Sequence, residues 1–332
     1  MTRCAVIGAG AWGTALANVL AHNDHEVLLW AREPDVVQSI NERHVNERFL
    51  AGHPLHPEVR ATSEMRAALD GAALVTYVPP SHALRAVAAA ARDCLPPDAT
   101  VVVASKGIER GTLDLMTDVV TEEIPGRPVV ALSGPSFAAE VAARQPTAIV
   151  AACEQRHAAT MTQEHFSNAV LRVYTTEDVV GVELGGSLKN VMAVATGIAE
   201  GLGLGFNSRA ALITRGLAEM TRLGVALGAS PRTFAGLAGL GDLVLTCTGS
   251  LSRNRALGVE IGKGATLDQA LEGRETVAEG AVSAAQALAL AEREGVEMPI
   301  VAAVNRTLFE GYPAQRAIED LMGRELRPEN DR

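Results

Sequence analysis

The hexapeptide Gly8-Ala9-Gly10-Ala11-Trp12-Gly13, set directly after the apolar run Cys4–Ile7, admits few folds. Glycines in that spacing suit a chain that leaves a strand and starts a helix. The first makes the tight turn, the second lets backbone approach a diphosphate, and the third lets the helix pack on the strand. A helical pattern then runs from Ala11 to His22, and a second β-rich run, Glu26–Trp30, begins thirteen residues beyond Gly13. The helix N-terminus of such a βαβ unit attracts phosphate through its N–H groups and dipole. Gly8, Gly10 and Gly13 are therefore expected to hold a dinucleotide in a Rossmann domain; the plainer alternative is a tight turn with no ligand. Two other glycine clusters lack this context. Gly201–Gly205 follows a helical pattern and Gly236–Gly241 has no strand before it, so neither is expected to bind a nucleotide.

The second strand runs out into Ala31-Arg32-Glu33. A carboxylate at the end of this strand would bind the ribose 2′-hydroxyl of NAD(H), whereas Arg32 suits a 2′-phosphate. NADP(H) is the favoured cofactor, with NAD(H) possible because Glu33 is adjacent. A solvated surface arginine is the competing explanation.

At 332 residues the chain exceeds one ordinary core of about 150 residues, so two domains are expected. Up to about residue 178, the β-rich runs Cys4–Ile7, Glu26–Trp30, Ala73–Val78, Thr100–Ala104, Val129–Leu132, Ala148–Ala151 and Leu171–Tyr174 alternate with helical patterns. That alternation calls for an α/β, doubly wound, mainly parallel sheet with helices on both faces. After Glu177-Asp178, a helix-cap signal, the pattern is helical to Leu321. The expected organisation is a dinucleotide-binding domain, 1–178, and an all-α substrate domain, 179–332, with the polar tail Arg324–Arg332 fraying.

A net charge of −10 and 3% aromatic residues argue against a nucleic-acid partner. Cys4, Cys94, Cys153 and Cys247 are far apart and have no histidine at ligand spacing; they read as isolated thiols of a reducing, cytoplasmic compartment, with no metal expected. The uncharged stretch Cys4–Asn23 imitates a secretory leader. Its three glycines fit strand, turn and helix better than one apolar helix. No stretch reaches the roughly 18 consecutive apolar residues of a membrane span, so no integral membrane association is expected.

Ligands of open α/β sheets lie beyond the carboxyl ends of the strands. Ser105-Lys106-Gly107 and Ser133-Gly134-Pro135-Ser136 occupy such positions, as does Pro79-Pro80-Ser81 on the same rim. Each could equally be a solvated connector. In the helical half, Lys189 is the one charge between Leu184 and Ala199. Burial there would favour the neutral amine and poise it for proton transfer, unless the side chain snorkels out. Gly185 and Gly186, one turn earlier, weaken the helix but let another backbone or a ligand come close. Asp242, in an apolar stretch, either caps a helix or pairs with a lysine and holds it in place; the expected mechanism has it orient Lys189, which makes both catalytic. Ser252-Arg253-Asn254-Arg255 reads as a capped helix start with guanidinium groups at hand. It is either an anion pocket or a helix start with solvated arginines.

These segments, with Ala-Leu-Ile-Thr-Arg-Gly-Leu-Ala-Glu-Met at 211–220, Gly-Leu-Gly-Asp-Leu-Val-Leu-Thr-Cys-Thr at 239–248 and Val-Ala-Glu-Gly at 277–280, carry a resemblance. From about residue 4 to residue 323 the chain resembles the bacterial NAD(P)-dependent sn-glycerol-3-phosphate dehydrogenases. The resemblance implies reversible oxidation of sn-glycerol 3-phosphate to dihydroxyacetone phosphate, run chiefly as reduction to supply phospholipid synthesis. It implies that Lys189 exchanges the proton at the substrate C2 oxygen. It places Lys106, Gly134, Ser136, Asp242, Ser252, Arg253 and Asn254 on the substrate, with Asn190 and Thr246 in support. Trp12, Arg32, Lys106, Ala138, Arg253, Val277 and Glu279 would line the cofactor site, and a homodimer is implied. Ala11 stands where many relatives have serine, so a side-chain bond to cofactor is lost there. Ser136 stands where many have threonine and keeps the hydroxyl. The rival readings are a β-hydroxyacid dehydrogenase acting on a small carboxylate and a non-catalytic redox sensor that binds dinucleotide.

Overall fold

The computed structural model describes residues 2–272, 279–326, 328 and 329. The first part of the chain alternates strand and helix: β1 (Arg3–Ile7), α1 (Ala11–Ala21), β2 (Glu26–Trp30), α2 (Pro34–Arg43), β3 (Val59–Thr62), α3 (Met65–Leu69), β4 (Leu74–Tyr77) and α4 (Ser81–Ala91). It continues with β5 (Thr100–Val103), α5 (Met116–Glu123), β6 (Val129–Ser133), α6 (Ala138–Ala142), β7 (Thr147–Ala152), α7 (Arg156–Phe166) and β8 (Leu171–Thr176). The strands form one eight-stranded sheet in the order β3-β2-β1-β4-β5-β6-β7-β8. All neighbours are parallel except β6 and β7, which pair antiparallel with Leu132 opposite Ala151.

Central strands are buried on both faces, which explains their unbroken apolar runs. In β1, Cys4 and Val6 enter a core with α1, α2, α6 and α7, while Ala5 and Ile7 enter a second core with α3, α4 and α5. Each fully buried Val, Ile or Leu contributes roughly 1.5–3 kcal/mol. The leader-like stretch is thus β1, a glycine turn and a buried α1. β3 carries no signal strong enough to read from the sequence, because it is a four-residue edge strand with Arg60 exposed between buried Val59 and Ala61.

Helices follow: α8 (Val179–Gly201), α9 (Phe206–Ala226), α10 (Pro231–Phe234), α11 (Asp242–Thr248), α12 (Arg253–Gly262), α13 (Leu267–Leu271), α14 (Glu279–Arg293), α15 (Pro299–Phe309) and α16 (Ala314–Met322). Among the described residues, no single helix is long and apolar enough to cross a membrane.

Packing divides the chain into one compact unit of Met1–Gly186 with Gly228–Asp242 and another of Ser187–Leu227 with Leu243–Arg332. Order along the chain suggests a boundary at 178; side-chain anchors carry the first unit further. Asp178 accepts N–H bonds from Gly181 at 2.9 Å and from Ser230 at 2.9 Å, and its carboxylate also accepts the Thr233 hydroxyl. Glu183, buried, accepts the Thr117 N–H at 3.0 Å and the Thr117 hydroxyl. Of the tail expected to fray, Arg324 bonds Glu297 at 2.5 Å and Leu326 is exposed, while residue 327 and residues 330–332 lie outside the described residues.

In the helical unit, α15 packs on α9, α14 and α16. Glu219 of α9 is 2% exposed and accepts the N–H groups of Ile300 at 2.8 Å and Val301 at 3.3 Å. It thereby satisfies donors that the first turn of α15 would otherwise leave unpaired. Burial pushes its carboxyl from 4.5 up to about 7, against the pull of those two N–H groups. A carboxyl that holds its proton more tightly when folded contributes stability in full below its unfolded value and loses it as pH rises through its folded one. Glu219→Gln should therefore gain about 2–4 °C in Tm relative to the unsubstituted chain between pH 5 and pH 8. Thermal unfolding at both pH values checks this, and parallel Tm shifts would contradict it.

Candidate active site

The glycine turn after β1 shows three different reasons for three glycines. Gly8 sits at φ +116°, where a side chain is strained, and a Cβ there would lie 2.9 Å from the Pro79 nitrogen. A Cβ on Gly13 would come within 1.9 Å of the Gly8 carbonyl oxygen, so helix and turn touch through bare backbone. Around Gly10 nothing lies within 4 Å of such an atom, which leaves room for a diphosphate to approach the main chain. α1 starts there with no side-chain cap, and the Trp12 indole N–H is buried with no hydrogen-bond partner among the described residues. The turn fits a dinucleotide. Its shape depends on Asn46, fully buried, which donates to the Ala9 carbonyl at 2.8 Å and to Thr14 Oγ1 at 2.8 Å. Sequence reasoning missed Asn46, which lies in a loop between α2 and β3 with no motif around it.

Arg32 stands just beyond β2 with its side chain 83% exposed, and its Nη2 meets Glu33 Oε1 at 2.9 Å. The pair offers a ribose both a carboxylate for hydroxyls and a guanidinium for a 2′-phosphate. Ala138 opens α6 and packs against the core beneath α1.

On the same unit, Lys106, Gly134, Ser136 and Asp242 converge. Lys106 Nζ donates to Asp242 Oδ2 at 2.7 Å and to the Gly134 carbonyl at 3.4 Å, and Ser136 Oγ donates to that carbonyl at 3.0 Å. The lysine side chain is 14% exposed and the aspartate 1%. In so buried a pair each charge holds the other, and removing either partner is costly. Asp242 follows a π-helical turn, Leu237–Gly241, in which the Gly241 N–H donates to the Gly236 carbonyl at 3.1 Å. Such wide turns recur at functional sites. The Gly185–Gly186 pair makes space for this arrangement. A Cβ at Gly185 would strike the Ala238 carbonyl oxygen at 2.3 Å, and one at Gly186 would lie 2.6 Å from Ser133 Oγ and 3.4 Å from the Lys106 side chain.

The helical unit gathers a second set. Lys189 is 8% exposed and Asn190 3%. Asn254 Nδ2 donates to Asn190 Oδ1 at 2.9 Å, Asn190 Nδ2 reaches Glu279 Oε2 at 3.5 Å, and the Gly280 N–H donates to Asn254 Oδ1 at 2.9 Å. One amide chain thus links the lysine's neighbour on α8, the first turn of α12 and the start of α14. Ser252 caps α12 by accepting the Arg255 N–H at 3.2 Å, and Arg253, the first residue of the helix, is exposed. Thr246 is buried on α11. Val277 lies outside the described residues.

Glycines also set the spacing of α8 and α12. A Cβ on Gly197 would lie 2.1 Å from the Arg255 carbonyl oxygen, and one on Gly201 would lie 2.3 Å from that of Val259. In return, a Cβ on Gly258 would lie 2.1 Å from the Val194 carbonyl oxygen and one on Gly262 would lie 2.3 Å from that of Ile198. The two helices interlock backbone to backbone. Gly201, the first glycine of a cluster that mimics a nucleotide loop, serves this contact.

Residues 3–159 match the family model described as NAD-dependent glycerol-3-phosphate dehydrogenase N-terminus, and residues 178–319 match the model of its C-terminus. The chain belongs to that family. A relative from a Geobacter species named glycerol-3-phosphate dehydrogenase (NAD(P)+) is 50% identical over 330 residues, covering 98% of each chain. One of the same name from Myxococcus xanthus is also 50% identical, again over 98% of both. The solved glycerol-3-phosphate dehydrogenase of Coxiella burnetii is 40% identical with a TM-score of 0.93, covering 97% of this chain and 99% of its own. The family shares the Rossmann-like first domain and the helical second domain described above.

The interlock makes Gly258→Ala a direct test of the family's helical half in this chain. The new methyl would lie 2.1 Å from the Val194 carbonyl oxygen and 2.8 Å from the Ile198 nitrogen, so backbone must move at a cost of about 1–3 kcal/mol. Thermal unfolding should show a lower Tm; an unchanged Tm would mean that the helices do not touch here.

Proposed function

We propose that this chain interconverts sn-glycerol 3-phosphate and dihydroxyacetone phosphate with NAD(P)+ or NAD(P)H, and that it runs mainly as a reduction supplying phospholipid synthesis. The observation that carries the reading is the amide chain of the helical unit. It ties Asn190, next to buried Lys189, to Asn254 at the capped start of α12, where Arg253 is exposed. A proton-transfer group and an anion receptor are thereby locked in one rigid piece, as a phosphorylated alcohol or ketone requires.

The nicotinamide, when bound, supplies or accepts the hydride at C2. Lys189 donates a proton to the oxygen that becomes negative as the ketone is reduced, and takes it back in the oxidation. Arg253 and the N-terminus of α12 hold the phosphate through charge-assisted bonds, with Ser252 shaping that terminus and Asn254 and Thr246 in support. Lys106, hydrogen-bonded to Asp242, is a further cation for the substrate, set beside Gly134 and Ser136. Gly8–Gly13, with Ala11 and Trp12 at the head of α1, together with Arg32, Ala138, Val277 and Glu279, make up the dinucleotide side of the proposal. A homodimer and a cytoplasmic location, both expected from the sequence, complete it.

Lys189→Ala should lower kcat for dihydroxyacetone phosphate by about 10²–10⁴-fold, whereas Arg253→Ala should act mainly by raising KM about tenfold or more. Steady-state oxidation of NADPH measures both, and a near-normal kcat in the first variant would remove the acid–base role. Inorganic phosphate should compete with the substrate better than small carboxylates do; the reverse order would favour a hydroxyacid dehydrogenase.

We also propose that Arg32 favours NADPH and that Glu33, by holding its guanidinium, keeps NADH in use. Glu33→Gln should raise the ratio of kcat/KM for NADPH over NADH several-fold. An unchanged ratio would show that the pair does not set the preference.

A further inference from the structure

Arg253 and Arg255 lie two residues apart at the start of α12, and either guanidinium could in principle meet a phosphate there. Their surroundings differ. Arg253 is exposed, whereas the Arg255 side chain is 16% exposed, and its Nη1 donates to Glu200 in the last turn of α8. Arg255 Nε donates to the Gly249 carbonyl at 3.2 Å, and the same carbonyl accepts the Ser252 N–H at 3.2 Å. The Arg255 backbone N–H meanwhile goes to the Ser252 hydroxyl at 3.2 Å. One residue therefore closes the turn Gly249–Ser252 twice, by its main chain on the capping hydroxyl and by its guanidinium on the carbonyl that opens the turn.

We infer that Glu200 and Arg255 are a positioning pair for the anion-binding segment Gly249–Arg253, fixing its turn and withholding the Arg255 guanidinium so that Arg253 meets the phosphate. Neither residue is part of the proton-transfer or phosphate-binding set assigned above. The inference rests on the proposed phosphorylated substrate.

Glu200 is suited to the task. It accepts Arg209 Nη2 at 2.8 Å as well as Arg255, so one carboxylate bridges two guanidinium groups and offsets part of their repulsion. The hydrogen bond from Arg255 holds its carboxyl below the usual carboxylate range, with the charges of Arg209 and Lys263 assisting. Its backbone cannot drift, because Gly197 and Gly201 seat this end of α8 directly on α12. Lys189 and Asn190 lie about three turns earlier on α8, beyond direct reach of a change at position 200. A loosened turn should therefore weaken phosphate capture and leave the proton transfer intact.

The test uses the full chain with Glu200→Gln, Glu200→Asp and Arg255→Lys, assayed with dihydroxyacetone phosphate and NADPH, with inorganic phosphate as competitor. Glu200→Gln and Arg255→Lys should raise both the KM for dihydroxyacetone phosphate and the inhibition constant of phosphate about tenfold. Their kcat should stay within about twofold and their KM for NADPH should not move, while Glu200→Asp should remain within about threefold of the unsubstituted chain. Unchanged KM and inhibition constants in Glu200→Gln would overturn the pairing. So would kcat and both KM values changing together, since that marks a general loss of structure. Failure of the unsubstituted chain to reduce dihydroxyacetone phosphate would overturn the functional reading instead. Phosphate affinity by calorimetry in the same variants would then decide the pairing alone, with unaltered affinity counting against it.

Discussion

Backbone touching backbone without an intervening side chain is the constraint on which this molecule depends. Gly13 presses on the Gly8 carbonyl, Gly185 on that of Ala238, and Gly197 and Gly201 interlock with Gly258 and Gly262. In each case a single methyl would fall about 2 Å from a carbonyl oxygen, a distance that packing cannot absorb without moving main chain. These contacts lie beside candidate site residues in both compact units: at the glycine turn after β1, under Lys106 and Asp242, and between the helices carrying Lys189 and Arg253.

Polar groups are then placed by pairing. Lys106 is held by Asp242, Asn190 by Asn254, the α15 N-terminus by Glu219 and the α5 N-terminus by Glu183. A buried charge or amide of this kind is tolerated because its hydrogen bonds are met, and each becomes costly if its partner is removed. Burial raises the carboxyls of Glu183 and Glu219 to about 7 while leaving each a set of donors. Structural carboxylates can thus titrate near neutrality with no part in catalysis, and a shifted pKa alone does not mark an active site.

Much of the architecture was legible because its periodicities are local. The apolar runs of β1, β2, β4 and β5 announce strands buried on both faces, and the glycine turn announces its own strand-turn-helix fold. β3 was not legible, since an edge strand of four residues with an outward arginine has no distinctive pattern. The antiparallel pairing of β6 with β7 was equally hidden, because strand direction is decided by where the intervening chain returns. The residues of the candidate site were recognisable from their motifs, but their partners were not. Asn46, Glu200 and the turn role of Arg255 involve contacts between distant segments, for which a single sequence carries no signal.

The sequence by itself determined the class of fold, the glycine turn after β1 and the family, because these rest on short-range spacing and on motif order. Only the tertiary structure decided that Asp242 pairs with Lys106, that Asn254 carries Asn190, and that Arg255 turns to Glu200 while Arg253 stays exposed. The physical reason is that identity and spacing fix what a residue can do, whereas its partner is set by which helices and turns pack close enough to share a hydrogen bond. The glycine turn after β1 could be read directly because its glycines act through backbone geometry. The charges of the helical unit had to wait for their neighbours.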